Sequence, residues 1–265
     1  MFVRIVSALA FAAAVLGDAP PCAAGAFMQP AGTGQFIAGV GYSEATRRFD
    51  PWGNAVPAPA FNKVEASGFL EYGVTDWLTL VAAPTLAHEH DGPATNSVTG
   101  SDSSAFGARV ALWQVPGWVV AVQALMQPPV GDESEAAQLQ DGGARTFAVD
   151  TRLMLGHGFA LFGWPAFVDI DPGVRLRADP FPDETRLDAT FGVRPIPRVL
   201  LLLQDFSSWA PPRGLVERQS SSKVQASVVY DLSRTWSVQV GGFRTIAGRN
   251  IVRETGPFGA VWVRF

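Results

Sequence analysis

The chain is short of charge, nearly free of cysteine, and without a long apolar run beyond its first residues, and each shortage removes a class of protein. Asp, Glu, Lys and Arg make up 17% of its 265 residues, against roughly 25% in soluble domains. The single cysteine, Cys22, stands near the amino terminus, so the rest of the chain can hold neither a disulfide nor a thiolate metal site. After Leu16 no stretch reaches the roughly 18 apolar residues of a membrane helix. The net charge is −4, there is no basic footprint for nucleic acid, and no phosphate-cradling glycine loop or nucleotide fingerprint occurs. No cofactor, no metal and no nucleic-acid partner is expected.

What the chain does have is 48% apolar residues and a mean hydropathy of +0.15, spread by alternation. The exception is a leader. Arg4 supplies a positive start, Ile5 to Leu16 an apolar stretch too short to span a bilayer, and Ala24-Gly25-Ala26 a small-residue cleavage site. The expected division is a cleaved signal peptide over 1–26 and one domain over 27–265. Lipid attachment at Cys22 would need Leu and small residues before it, where Ala19-Pro20-Pro21 stands.

Beyond the leader a period of two recurs. Phe36, Ala38, Val40 and Tyr42 alternate with Gln35, Gly39, Gly41 and Ser43; Val64, Ala66, Gly68, Leu70 and Tyr72 alternate with Lys63, Glu65, Ser67 and Glu71. Further strands are expected over 78–86, 103–114, 118–127, 145–156, 159–177, 184–194, 198–209, 221–231, 235–246 and 255–265. That makes about twelve, near the ten or so residues that a tilted membrane strand needs. Tight joins (Gly73-Val74-Thr75-Asp76, Gln114-Val115-Pro116-Gly117, Gly156-His157-Gly158, Pro195-Ile196-Pro197, Leu232-Ser233-Arg234) alternate with longer polar segments near 44–60, 89–102, 128–144, 210–220 and 247–254, and a shorter one near 178–183. Short turns at one end and long loops at the other are the outer-membrane arrangement. Tyr72, Trp118, Phe159, Tyr230, Trp236 and Phe265 fall beside the short turns, where an aromatic girdle belongs. The chain closes on Gly259-Ala260-Val261-Trp262-Val263-Arg264-Phe265. In lipid such a terminal strand must pair both edges, so it has to meet the first strand. The fold expected is an all-β, antiparallel, up-and-down transmembrane barrel in the Gram-negative outer membrane. A secreted β-sandwich would carry a polar face dense in Lys and Glu, and here that face is mostly Gly, Ala, Ser, Thr and Gln.

Glu71-Tyr72-Gly73-Val74-Thr75-Asp76-Trp77-Leu78-Thr79-Leu80 resembles the strand–turn–strand repeat of proteobacterial outer-membrane barrels grouped as phenol meta-pathway or aromatic-degradation transporters. Tyr230-Asp231-Leu232-Ser233-Arg234-Thr235-Trp236-Ser237-Val238 is a similar second copy, and Val261 to Phe265 is similar to the signal read by the barrel-insertion machinery. The resemblance implies a barrel that passes solutes and is inserted through its last strand. It carries over no site residues.

If the apolar face meets lipid, the other face is the lumen. By parity the lining is Lys63, Glu65, Glu71, Arg109, Asp150, Arg152, Asp169, Asp171, Arg175, Arg177, Arg186, Asp188, Arg194 and Lys223, with Gln204, Gln225 and Gln239. Alone, any of these charges would be costly to bury, so they need water or partners. Asp169 and Asp171 share a face with Arg175 and Arg177, which favours ion pairing over acid–base catalysis. Twelve strands leave a narrow bore, so a small solute is the expected cargo, with lipid and lipopolysaccharide outside. Asp132, Glu133, Glu135 and Asp141 would make one mouth acidic.

Two other functions compete with a passive channel. A barrel-embedded lipid or peptide hydrolase needs a nucleophile beside a positioned base. Of the three histidines, His157 sits in an expected turn, while His88 and His90 could share one face at a strand end without a third ligand by spacing. No catalytic residue is assigned and the expectation is no enzyme. A sealed structural or adhesion barrel would display Pro51-Trp52-Gly53 and Trp209-Ala210-Pro211-Pro212 in its outer loops.

Overall fold

The computed structural model describes residues 25–91, 97–100, 104–129, 146–178 and 180–265, with backbone alone at 91 and 97–100. The acidic segment with Asp132, Glu133, Glu135 and Asp141, and the leader through Ala24, lie outside the described residues.

Alternation along the chain becomes one antiparallel sheet of fifteen strands. They are β1 (Gly34–Phe49), β2 (Ala55–Thr75), β3 (Leu78–Ala83), β4 (Thr85–Asp91), β5 (Ser97–Gly100), β6 (Ala105–Val115), β7 (Trp118–Gln127), β8 (Ala148–Leu161), β9 (Trp164–Arg177), β10 (Glu184–Ile196), β11 (Val199–Ala210), β12 (Gln219–Asp231), β13 (Trp236–Arg249), β14 (Ile251–Val252) and β15 (Thr255–Arg264). Twelve wall strands close a barrel. β3 and β4 are two parts of one wall strand broken at Pro84, whose missing N–H cannot join a ladder; β5 and β14 are short additions beside β4 and β1.

Closure joins the last strand to the first. β15 lies between β13 and β1, with Gln35 opposite Arg264 and Ala38 opposite Val261, while β1 pairs β2 on its other edge. Gly34 N–H donates to the Phe265 carbonyl at 2.7 Å, and Phe265 N–H to the Gly34 carbonyl at 3.0 Å. No wall edge is left at this seam, which matters because each unpaired backbone group in lipid costs several kcal/mol.

The outer surface inverts a soluble protein. Leu80, Phe106, Leu153, Ile170, Leu203, Val228 and Val240 are all exposed and belong to the outward parity of their strands. Trp77, Trp118, Trp164, Tyr230, Trp236 and Phe265 ring the short-turn end. An apolar belt bounded by an aromatic girdle is the surface of an outer-membrane barrel, and that membrane is where this exterior is stable. The short-turn end is periplasmic in that setting.

Two expectations need correction. The segment 44–60 is largely strand: β1 runs to Phe49 and β2 starts at Ala55, joined by a tight turn. Its arginines and prolines read as loop, but the ladder continues through Arg48 opposite Val56. Gly156-His157-Gly158 lies inside β8, where His157 pairs with Trp118. The turn falls at Phe162-Gly163, whose φ values of 51° and 86° fit a two-residue hairpin turn. His157 stacks on the Trp118 ring at 3.8 Å and near Phe159 at 5.5 Å, facing outward within the girdle.

Candidate functional site: the barrel lumen

Because side chains alternate, every second residue of each wall strand points inward, and the buried polar residues mark that face. Lys63, Glu71, Arg109, Asp150, Asp169, Asp171 and Asp188 are all buried. Arg152, Arg175, Arg177, Arg186, Arg194 and Lys223 share the inward parity, as does the more exposed Glu65.

The charges organise across strands rather than along them. On β8 to β10, Asp150 is the hub: Arg152 reaches it at 2.7 Å, Arg186 at 3.1 Å and Arg175 at 3.5 Å. Arg152 also pairs with Asp188, and Glu184 forms ion pairs with Arg175 at 3.5 Å and Arg177 at 3.8 Å. Gly173 makes this packing possible. It stands between Arg152 on β8 and Arg186 on β10, and a Cβ there would lie 2.8 Å from Arg152 Cγ. The expectation that Arg175 and Arg177 pair with Asp169 and Asp171 fails, because residues four apart on a strand are about 13 Å from each other. Register selects partners on neighbouring strands, and Asp171 faces Asp188.

Elsewhere the lining is paired or amide-rich. Lys63 meets Glu65 at 3.3 Å, Lys223 meets Glu254 at 3.0 Å, and Arg194 meets Asp231 at 2.7 Å. Gln225 donates to Gln204 and Gln239 to Ser227, while Trp262 Nε1 donates to Gln239. A cavity of about 280 Å³ opens in this wall, against Gly39, Gly41, Phe243 and Phe258. Ser43 lines it, is buried, and its hydroxyl has no hydrogen-bond partner among the described residues.

The periplasmic end of the lumen is filled, which the sequence did not announce. Residues 26–30, ahead of β1, run inside the barrel. Ala26 and Met28 are buried with Val119, Ala121 and Met154. Phe27 packs edge-on against Phe167 at 5.9 Å, beside a second apolar cluster of Leu200, Leu202, Val229 and Trp262. Polar contacts fix the backbone: Ala26 N–H donates to Asp169 at 2.9 Å, Arg109 to the Phe27 carbonyl at 3.0 Å, Gln29 N–H to Thr79 at 3.2 Å, and the Gln29 amide to Glu71 at 3.0 Å. Arg109 and Glu71 are themselves an ion pair at 2.8 Å. A further cavity of about 580 Å³ lies between this segment and the β6–β7 turn.

His88 and His90 fall on the outward parity of β4, while Glu89 points inward and is buried. No group of three or more metal-ligating side chains occurs among the described residues. Sequence reasoning missed Glu184, Glu254, Asp231 and the segment 26–30. Glu184 and Asp231 carry the inward parity and could have been found by it; Glu254 sits beyond a strand end.

No model of a known protein family matches the chain, and no curated protein sequence does. Among solved structures the fold is similar to that of the COG4313 outer membrane channel from Pseudomonas putida F1, with a TM-score of 0.72 and 15% identity over 91% of this chain and 98% of that one. The NanC porin follows at a TM-score of 0.50 and 7% identity, covering 84% of this chain and 98% of the porin. The translocator domain of the autotransporter NalP from Neisseria meningitidis gives 0.51 and 8% identity, covering 88% of each chain. At these identities the likeness is one of fold.

Proposed function

We propose that this barrel is a narrow passive channel for small organic solutes, closed at rest by its own residues 26–30. The observation that carries the reading is the contrast along the bore: a polar, charge-paired lining with a recess in its wall gives way to a periplasmic end filled by chain. Polar groups are costly to bury dry, and a water-filled solute path accounts for a lining of this kind. The fold shared with an outer membrane channel and a porin supports the same reading, as does the resemblance of 71–80 to aromatic-degradation transporters.

The recess narrows the solute class. Its charged residues are already paired, Lys63 with Glu65 and Lys223 with Glu254, so it offers no net charge to an ion. Phe243 and Phe258 present apolar surface and Ser43 presents a hydroxyl. Its size is at the low end of ligand pockets. A single-ring solute with one hydrogen-bonding group fits this chemistry.

Planar-bilayer conductance tests the reading. Wild-type protein is expected to show small, infrequent steps, and the Phe27→Ala/Met28→Ala variant larger or longer-lived ones. A second reading, a sealed structural barrel, draws on the tight fit of residues 26–30. Absence of steps from both proteins would favour it and overturn the channel.

A further inference from the structure

Asp169 and Asp171 point into the lumen from β9, are both buried, and each has an Oδ1 without a hydrogen-bond partner among the described residues. The nearby guanidinium groups are committed elsewhere. Arg109 binds Glu71 and Gln123, and Arg152 binds Asp150 and Asp188. Two buried acidic groups side by side, with no ion pair of their own among the described residues, form an expensive arrangement.

What does reach Asp169 is the segment ahead of β1, and Asp171 follows two residues along the same face of β9. Gly25 lies against Asp169 so closely that a Cβ at this position would fall 1.1 Å from Asp169 Oδ2. Only glycine leaves that space free. Ala26 is fully buried, donates its N–H to Asp169, and has Gly156 opposite it, where a Cβ would stand 3.2 Å from the Ala26 methyl. These two residues fit the lumen as parts of the finished barrel. A cut after Ala26 would discard both. Cys22-Ala23-Ala24 offers small residues one and three positions before a cut that would keep them.

We propose that the leader is removed between Ala24 and Gly25, and that the Gly25 α-ammonium so created is the counter-ion of Asp169 and Asp171. Water hydrolyses the Ala24–Gly25 peptide bond under a leader peptidase, leaving a carboxylate on Ala24 and an amine on Gly25 that takes up a proton. The new cation then sits beside two carboxylates and ties the inner segment to β9. Secretion thereby supplies the charge that completes the lumen. The pairing does not depend on conduction and stands apart from the channel reading.

Intact mass and N-terminal sequencing of protein purified from outer membranes, after expression of the full chain, are expected to give Gly25 as the first residue. A start at Phe27, or at any other residue, overturns the proposed cut. The pairing is tested by acylation of the terminal amine with an amine-reactive reagent at neutral pH. The folded barrel is expected to react at least tenfold more slowly than the heat-unfolded chain, and Asp169→Asn/Asp171→Asn to restore at least threefold of that rate, with folding checked by heat-modifiable gel migration. Where the double variant does not fold, Asp169→Asn alone makes the same comparison, its amide oxygen still placed to accept from the Ala26 N–H. Equal rates for the folded and unfolded wild type overturn the pairing.

Discussion

Arg109 and Glu71 meet at 2.8 Å with both side chains withdrawn from solvent, and each also holds the inner segment: Arg109 through the Phe27 carbonyl, Glu71 through the Gln29 amide. One ion pair therefore couples the wall on β2 and β6 to the residues that fill the periplasmic end. Removing one partner of a buried pair strands the other charge and costs about 3–5 kcal/mol. Glu71→Ala is expected to lower the temperature of heat-modifiable unfolding clearly, and Glu71→Ala/Arg109→Ala to recover part of the loss. A double variant as unstable as the sum of the single ones would contradict the coupling.

The β8–β10 ladder centres on Asp150, which faces three arginines. Asp150→Asn removes the shared anion and leaves cations facing the bore. Reversal potentials under a salt gradient should move toward anion preference. Unchanged selectivity together with a lower unfolding temperature would make the ladder structural.

Phe167 lies over Gly192, where a Cβ would stand 2.1 Å from the ring. Gly192→Ala should overpack this site and destabilise by about 1–3 kcal/mol, and Phe167→Leu in the same chain should restore part of it. Chemical denaturation in detergent reads the difference. It also reports on Phe27, which leans on the same ring.

Gly41 points inward at the recess, and an added Cβ would make ordinary contact, 3.6 Å from Phe258 Cβ. Gly41→Val should fold normally while filling the recess. Benzyl alcohol is expected to block wild-type current saturably and at lower concentration than benzoate or benzylammonium, with the block weakened several-fold in Gly41→Val and in Ser43→Ala. Equal block of all proteins by all three probes would remove the recess from the solute path.

Phe265 pairs with Gly34 through its backbone, and its ring crosses the place where a Gly34 side chain would be. Phe265→Ala should reduce the folded yield in outer membranes several-fold while leaving the unfolding temperature of the assembled fraction nearly unchanged. That combination, read by quantitative gel migration, separates a part in assembly from a part in stability.

Much of this architecture was legible because a strand has a period of two: once Phe36, Ala38, Val40 and Tyr42 were assigned outward, Gln35 and Ser43 had to face inward, and both are buried. The closing partnership of β1 and β15 followed from the cost of an open edge in lipid. Partners within the lumen were not legible, since Arg175 finds Glu184 only through the β9–β10 register, which no single strand encodes. His157 misled because flanking glycines resemble a turn, whereas the hairpin turns at Phe162-Gly163. Phe27 to Pro30 has no periodicity at all, and its position inside the barrel depends on Arg109, Glu71 and Thr79 from distant strands.

Gly173 and its arginine ladder stand on β9, and the opposite side of a twelve-strand ring is occupied by β1, whose inward positions include the bare Gly39 and Gly41. The bore is thus lopsided, with a dense arginine–carboxylate ladder on one flank and a glycine-lined recess whose charges are paired on the other. If the barrel conducts as proposed, a molecule descending between them keeps its dipole turned toward β9 instead of tumbling. Two isomers of equal size and polarity, differing only in where a substituent is attached, would then travel through at different speeds.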